Sequence, residues 1–241
     1  MTYNLAEKTW PMIEEYLKNK NSILIPVGST EQHGPNGLIG IDFLSAWEIA
    51  KKVGELTATL VSPPLCFGMA QHHMAFPGTM SLTPLTYIAV LSELLQSLAK
   101  HGFRDFTLIN GHGGNIPSIN AAFSQVLSSD QDSHFRLINW WHLAEVQAYE
   151  KQHFGDANGF HATCGEVSLI MHTHRDAYRE VPAHAPFAPT VREYPWPLSP
   201  GQFRQTFPDG RMGSDPSLAS AQHGEKIFAI AVDAICQKLR K

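Results

Sequence analysis

Two short apolar runs in this chain, residues 23–27 and 106–109, are each followed at once by a polar loop that carries a histidine. The first loop contains Glu31 and His33, and the second reads Asn-Gly-His-Gly-Gly-Asn around His112. Short apolar runs of this kind are typical of strands buried in a parallel sheet. Because ligands in open α/β sheets bind where strands end and loops begin, the two loops are predicted to meet at one site.

Further strand and helix patterns alternate along the rest of the chain. Strands are predicted over residues 23–27, 59–62, 106–110 and 135–141, and helices over 8–19, 43–56, 85–101, 115–127, 143–151, 166–174 and 219–239. This alternation predicts an α/β fold, with a mainly parallel sheet covered by helices on both faces. The sequence contains no evident linker, internal repeat or low-complexity tract, which predicts a single domain over residues 1–241.

Charge and hydropathy patterning exclude several classes of protein. The net charge is −4, and Lys and Arg occur in runs no longer than a pair, so no basic surface for nucleic acid is expected. No apolar stretch approaches the roughly 18 residues of a membrane-spanning helix, so no membrane partner is expected. Cys66, Cys164 and Cys236 are odd in number and far apart, which is typical of free thiols in a reducing cytoplasm.

Glu31, His33 and His112 are candidate metal ligands. Glu31 and His33 are two residues apart, so in an extended segment both side chains point to the same side. Carboxylate and imidazole are ordinary ligands of Zn, Mn and Fe. The glycines around His112 permit positive φ and close packing around a ligand. Two alternatives remain open at this point: a solvated loop at Glu31, and a tight turn with an incidental histidine at His112.

Two further carboxylates could complete such a site. Asp42 stands at the start of a predicted helix, where capping the helix is its alternative role. Beside Glu31 and His33, the same carboxylate could bridge two ions through its two oxygens. Glu166 opens another predicted helix, and its alternative role is to complement the helix dipole.

The remaining candidates are histidines in loops and a proline-rich segment. His161 could act as an acid or base near pH 7, although a surface histidine without a role is the alternative. His72 and His73 lie in a loop that could line a pocket, and at most one of them is expected to matter there, because adjacent residues rarely bind one ligand together. Residues 182–216 are proline-rich and predict a long irregular excursion, either a lid or a subunit contact. The chain carries no G-x-S-x-G for a serine hydrolase and no phosphate-binding loop.

Taken in order, these segments resemble the creatininase family of metal-dependent amidohydrolases. The resemblance covers residues 25–35 (Ile-Pro-Val-Gly-Ser-Thr-Glu-Gln-His-Gly-Pro), Asp42, residues 73–79 (His-Met-Ala-Phe-Pro-Gly-Thr), residues 110–115, residues 161–166 and the later stretches 213–216 and 219–224. It implies a three-layer α/β/α sandwich and two divalent metal ions per chain, Zn or Mn, with Fe as a further possibility. It also implies a compact homo-oligomer, typically a homohexamer.

The resemblance assigns roles residue by residue. The implied metal ligands are Glu31, His33, Asp42, His112 and Glu166, with Asp42 bridging. The catalytic candidates are His161 and Glu166, and the substrate-binding candidates are His73, Gly113 and Gly114. Two positions depart from the family pattern. Gly114 stands where true creatininases carry a metal-binding Glu, and Thr163 stands where the H-A-G-x-x-E segment has its Gly.

The function that follows from the resemblance is metal-assisted hydrolysis of a C–N amide bond in a small, possibly cyclic, amide. His161 is expected to carry a proton to the leaving nitrogen. Related activities remain as alternatives: a formamide hydrolase or deformylase, or a peptidase of a cofactor pathway. A non-catalytic metal-binding protein on the same fold is the alternative of a different class.

Overall fold

A computed structural model describes residues 3–181 and 194–240. Its strands are β1 (Ser22–Val27), β2 (Leu60–Val61), β3 (Asp105–Asn110) and β4 (His134–Asn139). Its helices are α1 (Trp10–Leu17), α2 (Ile41–Thr57), α3 (Pro84–Lys100), α4 (Ile116–Leu127), α5 (Ala144–His153), α6 (Cys164–Thr173), α7 (Arg175–Tyr178), α8 (Pro200–Thr206) and α9 (Ala221–Leu239). Short 3-10 turns connect several of them. None of the helices in these two ranges is long and apolar enough to cross a membrane.

The four strands form one parallel sheet in the order β2-β1-β3-β4. Each strand is followed by a helix before the next strand begins, so the right-handed crossover rule places helices over both faces. In the register of the sheet, Val27 lies beside Asn110, and Asn110 lies beside Asn139. The three long strands therefore end together, and the loops that follow them meet at one edge.

Side chains of β1 alternate between two apolar layers. Ile23, Ile25 and Val27 are buried with residues of α3 and α4, whereas Leu24 is buried with residues of α2, α6 and α9. Each such side chain contributes about 1.5–3 kcal/mol when it is fully withdrawn from water. This arrangement confirms the predicted α/β/α sandwich with a parallel sheet.

The proline-rich segment is less irregular than the sequence suggests. Within residues 182–216, α8 begins after Ser199, whose hydroxyl accepts a hydrogen bond from the backbone N–H of Gln202. The Gln202 side-chain oxygen in turn accepts a hydrogen bond from the Ser199 backbone N–H, and Pro200 occupies the first helical position. Ser-Pro-x-Gln is therefore the start of a helix, although the proline content of this segment led to the prediction of an irregular excursion. Residues 182–193 lie outside the described part of the chain.

Candidate metal centre

Asparagine side chains hold the loop that follows β3. The amide of Asn110 donates to the His112 carbonyl at 2.8 Å and accepts from the His112 N–H at 3.0 Å. Asn115 joins this loop to two others, because it accepts from the Met69 N–H and donates to the Gly28 carbonyl, both at 2.9 Å. His112 is thus fixed beside the end of β1 by bonds to buried backbone groups.

Two of the three glycines of this loop, Gly111 and Gly114, allow close approach of other groups rather than unusual dihedral angles. A Cβ atom at Gly111 would collide with the backbone of Asp42, and one at Gly114 would collide with the His112 ring and the Met69 carbonyl. Neither glycine is among the positive-φ residues of the described chain. The expectation of positive φ is therefore wrong here, and the expectation of close packing is right.

Five side chains form two donor groups that share one carboxylate. In each group the potential ligand atoms lie within 4.8 Å of one another; the groups are Glu31, Asp42 and His112, and His33, Asp42 and Glu166. Asp42 sends Oδ2 toward His112 Nδ1 at 3.2 Å and Oδ1 toward His33 Nε2 at 2.9 Å. The N-cap of α2 is Gly40, so Asp42 does not cap the helix and its side chain is left for the site.

The oxygens of the first group fit a cation. Both carboxylate oxygens of Glu31 and Oδ2 of Asp42 are buried and accept no hydrogen bond. His112 Nδ1 lies 3.2 Å from Glu31 Oε1 and 3.2 Å from Asp42 Oδ2, without hydrogen-bond geometry. Two ligands of one Zn²⁺ ion, each about 2.0–2.2 Å from it, lie about 3.2–3.5 Å apart. Buried, unpaired carboxylate oxygens are costly unless a cation compensates them, so this donor set suits a divalent metal.

Protons on histidine balance the carboxylates when no ion is bound. Burial lowers the pKa of His33, but the attraction of Asp42 outweighs it and brings that pKa to about 9. Burial also lowers the pKa of His112, yet Glu31 and Asp42 hold it well above the usual range. Burial raises the pKa of Glu31, and His112 and His73 reverse this and keep it well below its usual value. Because metal ligation requires neutral imidazole, metal and protons compete for this centre.

Glu166 has two roles in the structure. Its Oε2 accepts a hydrogen bond from the backbone N–H of Thr163 at 2.8 Å, and Thr163 Oγ1 accepts from the Glu166 N–H, which completes a capping box for α6. The same carboxylate belongs to the donor group with His33 and Asp42. Burial raises its pKa. The helix-terminal role weighed from sequence and the ligand role are therefore compatible, because the carboxylate has two oxygens.

A third group joins Glu31 with His73 and His161. Glu31 Oε1 lies 3.2 Å from His73 Nε2 and 3.9 Å from His161 Nδ1. Burial, together with His73 and His33, keeps the pKa of His161 well below its usual value, which favours the neutral imidazole. His72 lines the same cavity as His73 but belongs to none of the donor groups, and its ring meets that of Trp196 edge-on at 5.0 Å between centroids. One member of the His72-His73 pair therefore reaches the carboxylates.

These groups open onto a cavity of about 670 Å³ at the carboxyl edge of the sheet. Of the site residues predicted from sequence, those on its wall are Glu31, Asp42, His73, His112, Gly113, Gly114, His161 and Glu166. His33 is fully buried behind that wall. The structure thus brings every predicted site residue into one place, and distributes them between the candidate metal-binding groups and the surface of the cavity.

Sequence reasoning missed several residues of the cavity. Trp141, Tyr194 and Trp196 give it an aromatic rim. Glu150 also lines it, from the buried side of α5, with one oxygen unpaired and the other accepting from Asn158 at 3.1 Å. Burial, with Glu166 nearby, raises the pKa of Glu150 to about 8. No local motif marks a carboxylate in the middle of a helix, so the sequence offered no signal for it.

Comparison with known proteins places this geometry in context. Residues 6–239 match the creatininase family, described as creatinine amidohydrolase. The chain is 29% identical to the mycofactocin precursor peptide peptidase of Mycobacterium ulcerans, over 100% of this chain and 89% of that protein. It is 27% identical to the creatinine amidohydrolase of Pseudomonas putida, over 98% and 96% of the two chains. The fold superposes on the solved structure "Creatininase Mn" with a TM-score of 0.85 and 26% identity, covering 100% of this chain and 98% of that chain.

Proposed function

The chain belongs to the creatininase family, and from that premise we propose that it is a metal-dependent amidohydrolase that cleaves a C–N amide bond in a small, possibly cyclic, amide. The observation that carries the proposal is the position of Asp42, which is buried on the wall of a cavity and is shared by two donor groups. A structural metal site is closed by its protein ligands, whereas three protein donors per ion leave positions open for water and substrate.

Glu31, Asp42 and His112 would hold one divalent ion, and His33, Asp42 and Glu166 would hold a second. We propose Zn or Mn, with Fe as a further possibility, because nitrogen and carboxylate donors suit all three metals. The related structure "Creatininase Mn" supports Mn as one of these metals. When bound, such ions supply Lewis-acid polarisation of a carbonyl and lower the pKa of water.

His161 is the proposed proton carrier. His161 lines the cavity with its Nδ1 3.9 Å from Glu31 Oε1, and burial chiefly lowers its pKa, which favours the neutral ring that a proton acceptor requires. In the proposed reaction His161 takes the proton of the attacking water and gives it to the amide nitrogen, which leaves as an amine. General acid–base groups of this kind contribute about 10²–10⁴-fold to the rate.

His73, Gly113 and Gly114 are the proposed substrate contacts, since all three line the cavity. The absence of a side chain at Gly113 leaves room there, with the Trp141 ring 4.0 Å from where a Cβ would lie. His73 Nε2 lies 3.2 Å from Glu31 Oε1. A group bound among these residues would therefore lie beside the proposed ions and His161.

A peptidase is the second candidate, favoured by the shape of the cavity. Glu150, Asn158, Gly159 and Phe160 line both this cavity and an outer depression of about 650 Å³. A substrate longer than a small amide could extend along this surface. One relative is a peptidase that acts on a precursor peptide, so peptides belong in the substrate screen together with creatinine and formamides.

Metal content is the first test of this function. Elemental mass spectrometry of the wild type should find about two equivalents of Zn, Mn or Fe per chain, and Asp42→Ala and His112→Ala should lose them. Asp105→Ala, an exposed carboxylate at the opposite end of β3, is the control and should retain them. A wild type that takes up no metal after Zn and Mn are added contradicts the proposal. Bound metal without turnover of any amide leaves a non-catalytic binding protein.

Location and assembly complete the proposal. We place the protein in the cytoplasm because Cys66, Cys164 and Cys236 are all free thiols. We also propose a homohexamer, which exposed apolar side chains such as Trp10 and Leu85 support, being 73% and 81% exposed. Light scattering that gives the mass of a single chain would contradict this assembly.

A further inference from the structure

Gln32, the residue between two proposed metal ligands, is buried with only 5% of its surface exposed. Its side-chain amide lies within hydrogen-bond distance of four groups: the Gly34 N–H, the Gly210 carbonyl, His73 and His161. Neither the local sequence nor the proposed function assigns this residue a role. The contacts are sufficient to determine where the protons of both histidines lie.

Two backbone groups fix the orientation of the Gln32 amide. Its Oε1 lies 2.8 Å from the N–H of Gly34, which can only donate. Its Nε2 lies 3.0 Å from the carbonyl of Gly210, which can only accept. Exchanging the amide oxygen and nitrogen would break both bonds, so this orientation does not depend on any choice about the histidines.

The backbone of Gln32 then sets the tautomer of His161. His161 Nε2 lies 2.7 Å from the Gln32 carbonyl oxygen. Because a carbonyl only accepts, Nε2 must carry the proton and donate it. In a neutral ring this leaves an unprotonated Nδ1, which is the nitrogen that faces Glu31 Oε1 at 3.9 Å.

The Gln32 side chain sets the tautomer of His73. One of its two N–H bonds goes to Gly210, and the other has His161 Nε2 at 2.9 Å and His73 Nδ1 at 2.8 Å as possible acceptors. His161 Nε2 already carries a proton, so the second bond goes to His73 Nδ1. The proton of a neutral His73 is then on Nε2, 3.2 Å from Glu31 Oε1.

We propose that Gln32 is a positioning residue that presents an unprotonated His161 Nδ1 and a protonated His73 Nε2 side by side at the cavity. The catalytic meaning rests on the proposed function: His161 offers the acceptor for the proton of water, and His73 offers a donor for the substrate carbonyl oxygen. The same assignment argues against Glu31, His73 and His161 as a third metal site, because ligation would require His73 Nε2 to lose its proton.

The direct test is the protonation pattern of the two rings in the wild-type protein. Long-range ¹H–¹⁵N correlation spectra of ¹⁵N-histidine-labelled, zinc-loaded protein distinguish the two neutral tautomers. His73→Gln and His161→Gln spectra assign the two rings. Both are expected to carry their proton on Nε2. A proton on Nδ1 of either ring, or loss of the His73 Nε2 proton on zinc loading, overturns the proposal.

A variant tests the catalytic consequence. Gln32→Glu still accepts from Gly34 but presents a second oxygen to His73 Nδ1, so the His73 proton should move to Nδ1 in the spectrum. We expect kcat to fall about 10²–10⁴-fold, the scale of a lost acid–base or tautomer contribution, with bound metal unchanged. Gln96→Glu, at a partly exposed position of α3, is the charge-matched control and should leave both readouts unchanged.

The two proposals fail in different ways. If the wild-type spectra show the expected tautomers but no amide is hydrolysed, the proposed function fails and the assignment to Gln32 stands. If amide hydrolysis is found but His73 stays protonated on Nε2 in Gln32→Glu, the role of Gln32 is contradicted and the function stands.

Discussion

Thr163 and Glu166 cap each other: the hydroxyl of Thr163 accepts from the Glu166 N–H at 3.1 Å, and the Glu166 carboxylate accepts from the Thr163 N–H at 2.8 Å. Thr163 is one of the two departures from the family pattern. At that position it both starts α6 and holds Glu166 in the donor group with His33 and Asp42.

Variants of this pair should separate capping from metal binding. In Glu166→Gln the cap can persist, because Gln also serves at this position of a capping box, but an anionic ligand is lost. We expect the free energy of unfolding of the metal-free protein to change by less than about 1 kcal/mol, while bound metal falls by about one equivalent. In Thr163→Ala the free energy of unfolding should fall by about 0.5–2 kcal/mol, and the bound metal should be retained. Equal metal loss in both variants would contradict this separation. Chemical denaturation and elemental mass spectrometry provide the two measurements.

The two glycines after His112 should respond differently to a methyl group. Gly114→Ala drives a Cβ against the His112 ring and the Met69 carbonyl, so we expect a loss of about 1–3 kcal/mol of stability and weaker metal binding. In Gly113→Ala the new Cβ meets no atom nearer than 4.0 Å. The free energy of unfolding should therefore stay within about 0.5 kcal/mol of the wild-type value, and the metal content should differ from it by no more than about one-tenth. If the denaturation curves of the two variants coincide, the close contact at Gly114 does not limit the stability of the protein.

The metal-free protein should lose stability as the pH rises. Asp42 raises the pKa of His33 to about 9 against the opposing effect of burial, compared with about 6.5 in an unfolded chain. Burial raises the pKa of Glu150 to about 8. Both groups bind more protons folded than unfolded, so their contribution is present at low pH and is lost as pH rises through the folded pKa.

Calorimetry tests whether the stability of the metal-free protein falls as the pH rises. The Tm of protein treated with a chelator should fall between about pH 6.5 and 9. Glu150→Gln, which cannot titrate, should flatten the part of the curve below about pH 8. A Tm that rises across the same window would mean that the histidine protons are absent from the metal-free centre.

His161→Ala should impair turnover without releasing metal, because His161 belongs to neither proposed ion group. We expect kcat to fall about 10²–10⁴-fold, with metal content and Tm close to those of the wild type. His134→Ala, an exposed histidine at the opposite end of the sheet, is the matched control. Full kcat in His161→Ala, with metal bound, would remove His161 from the proton path.

Much of the architecture was readable from local patterns. Branched apolar residues at 23–27 and the helical spacing around α3 and α9 predicted elements that the structure contains. The parallel sheet followed from their alternation. Proline content was misleading at α8, where the capping residues Ser199 and Gln202 were the better signal.

The candidate site could be predicted only as a set of residues. The resemblance identified one set of metal ligands, namely Glu31, His33, Asp42, His112 and Glu166. It did not indicate which of these donors share an ion. In the structure, Glu166 of α6 belongs to the donor group of His33 and Asp42. Position 114, where the family pattern has a Glu, is a glycine in this chain.

The sequence by itself determined the strands, the helices and the chemistry of the loops between them, because hydrophobic period and turn residues act over a few positions along the chain. Only the tertiary structure decided which distant groups meet. Gln32 contacts His161 and Gly210, which are 129 and 178 positions further along the chain. Glu150 lines the cavity from the buried side of a helix. Such contacts depend on how whole layers pack against one another, and no short-range pattern encodes them.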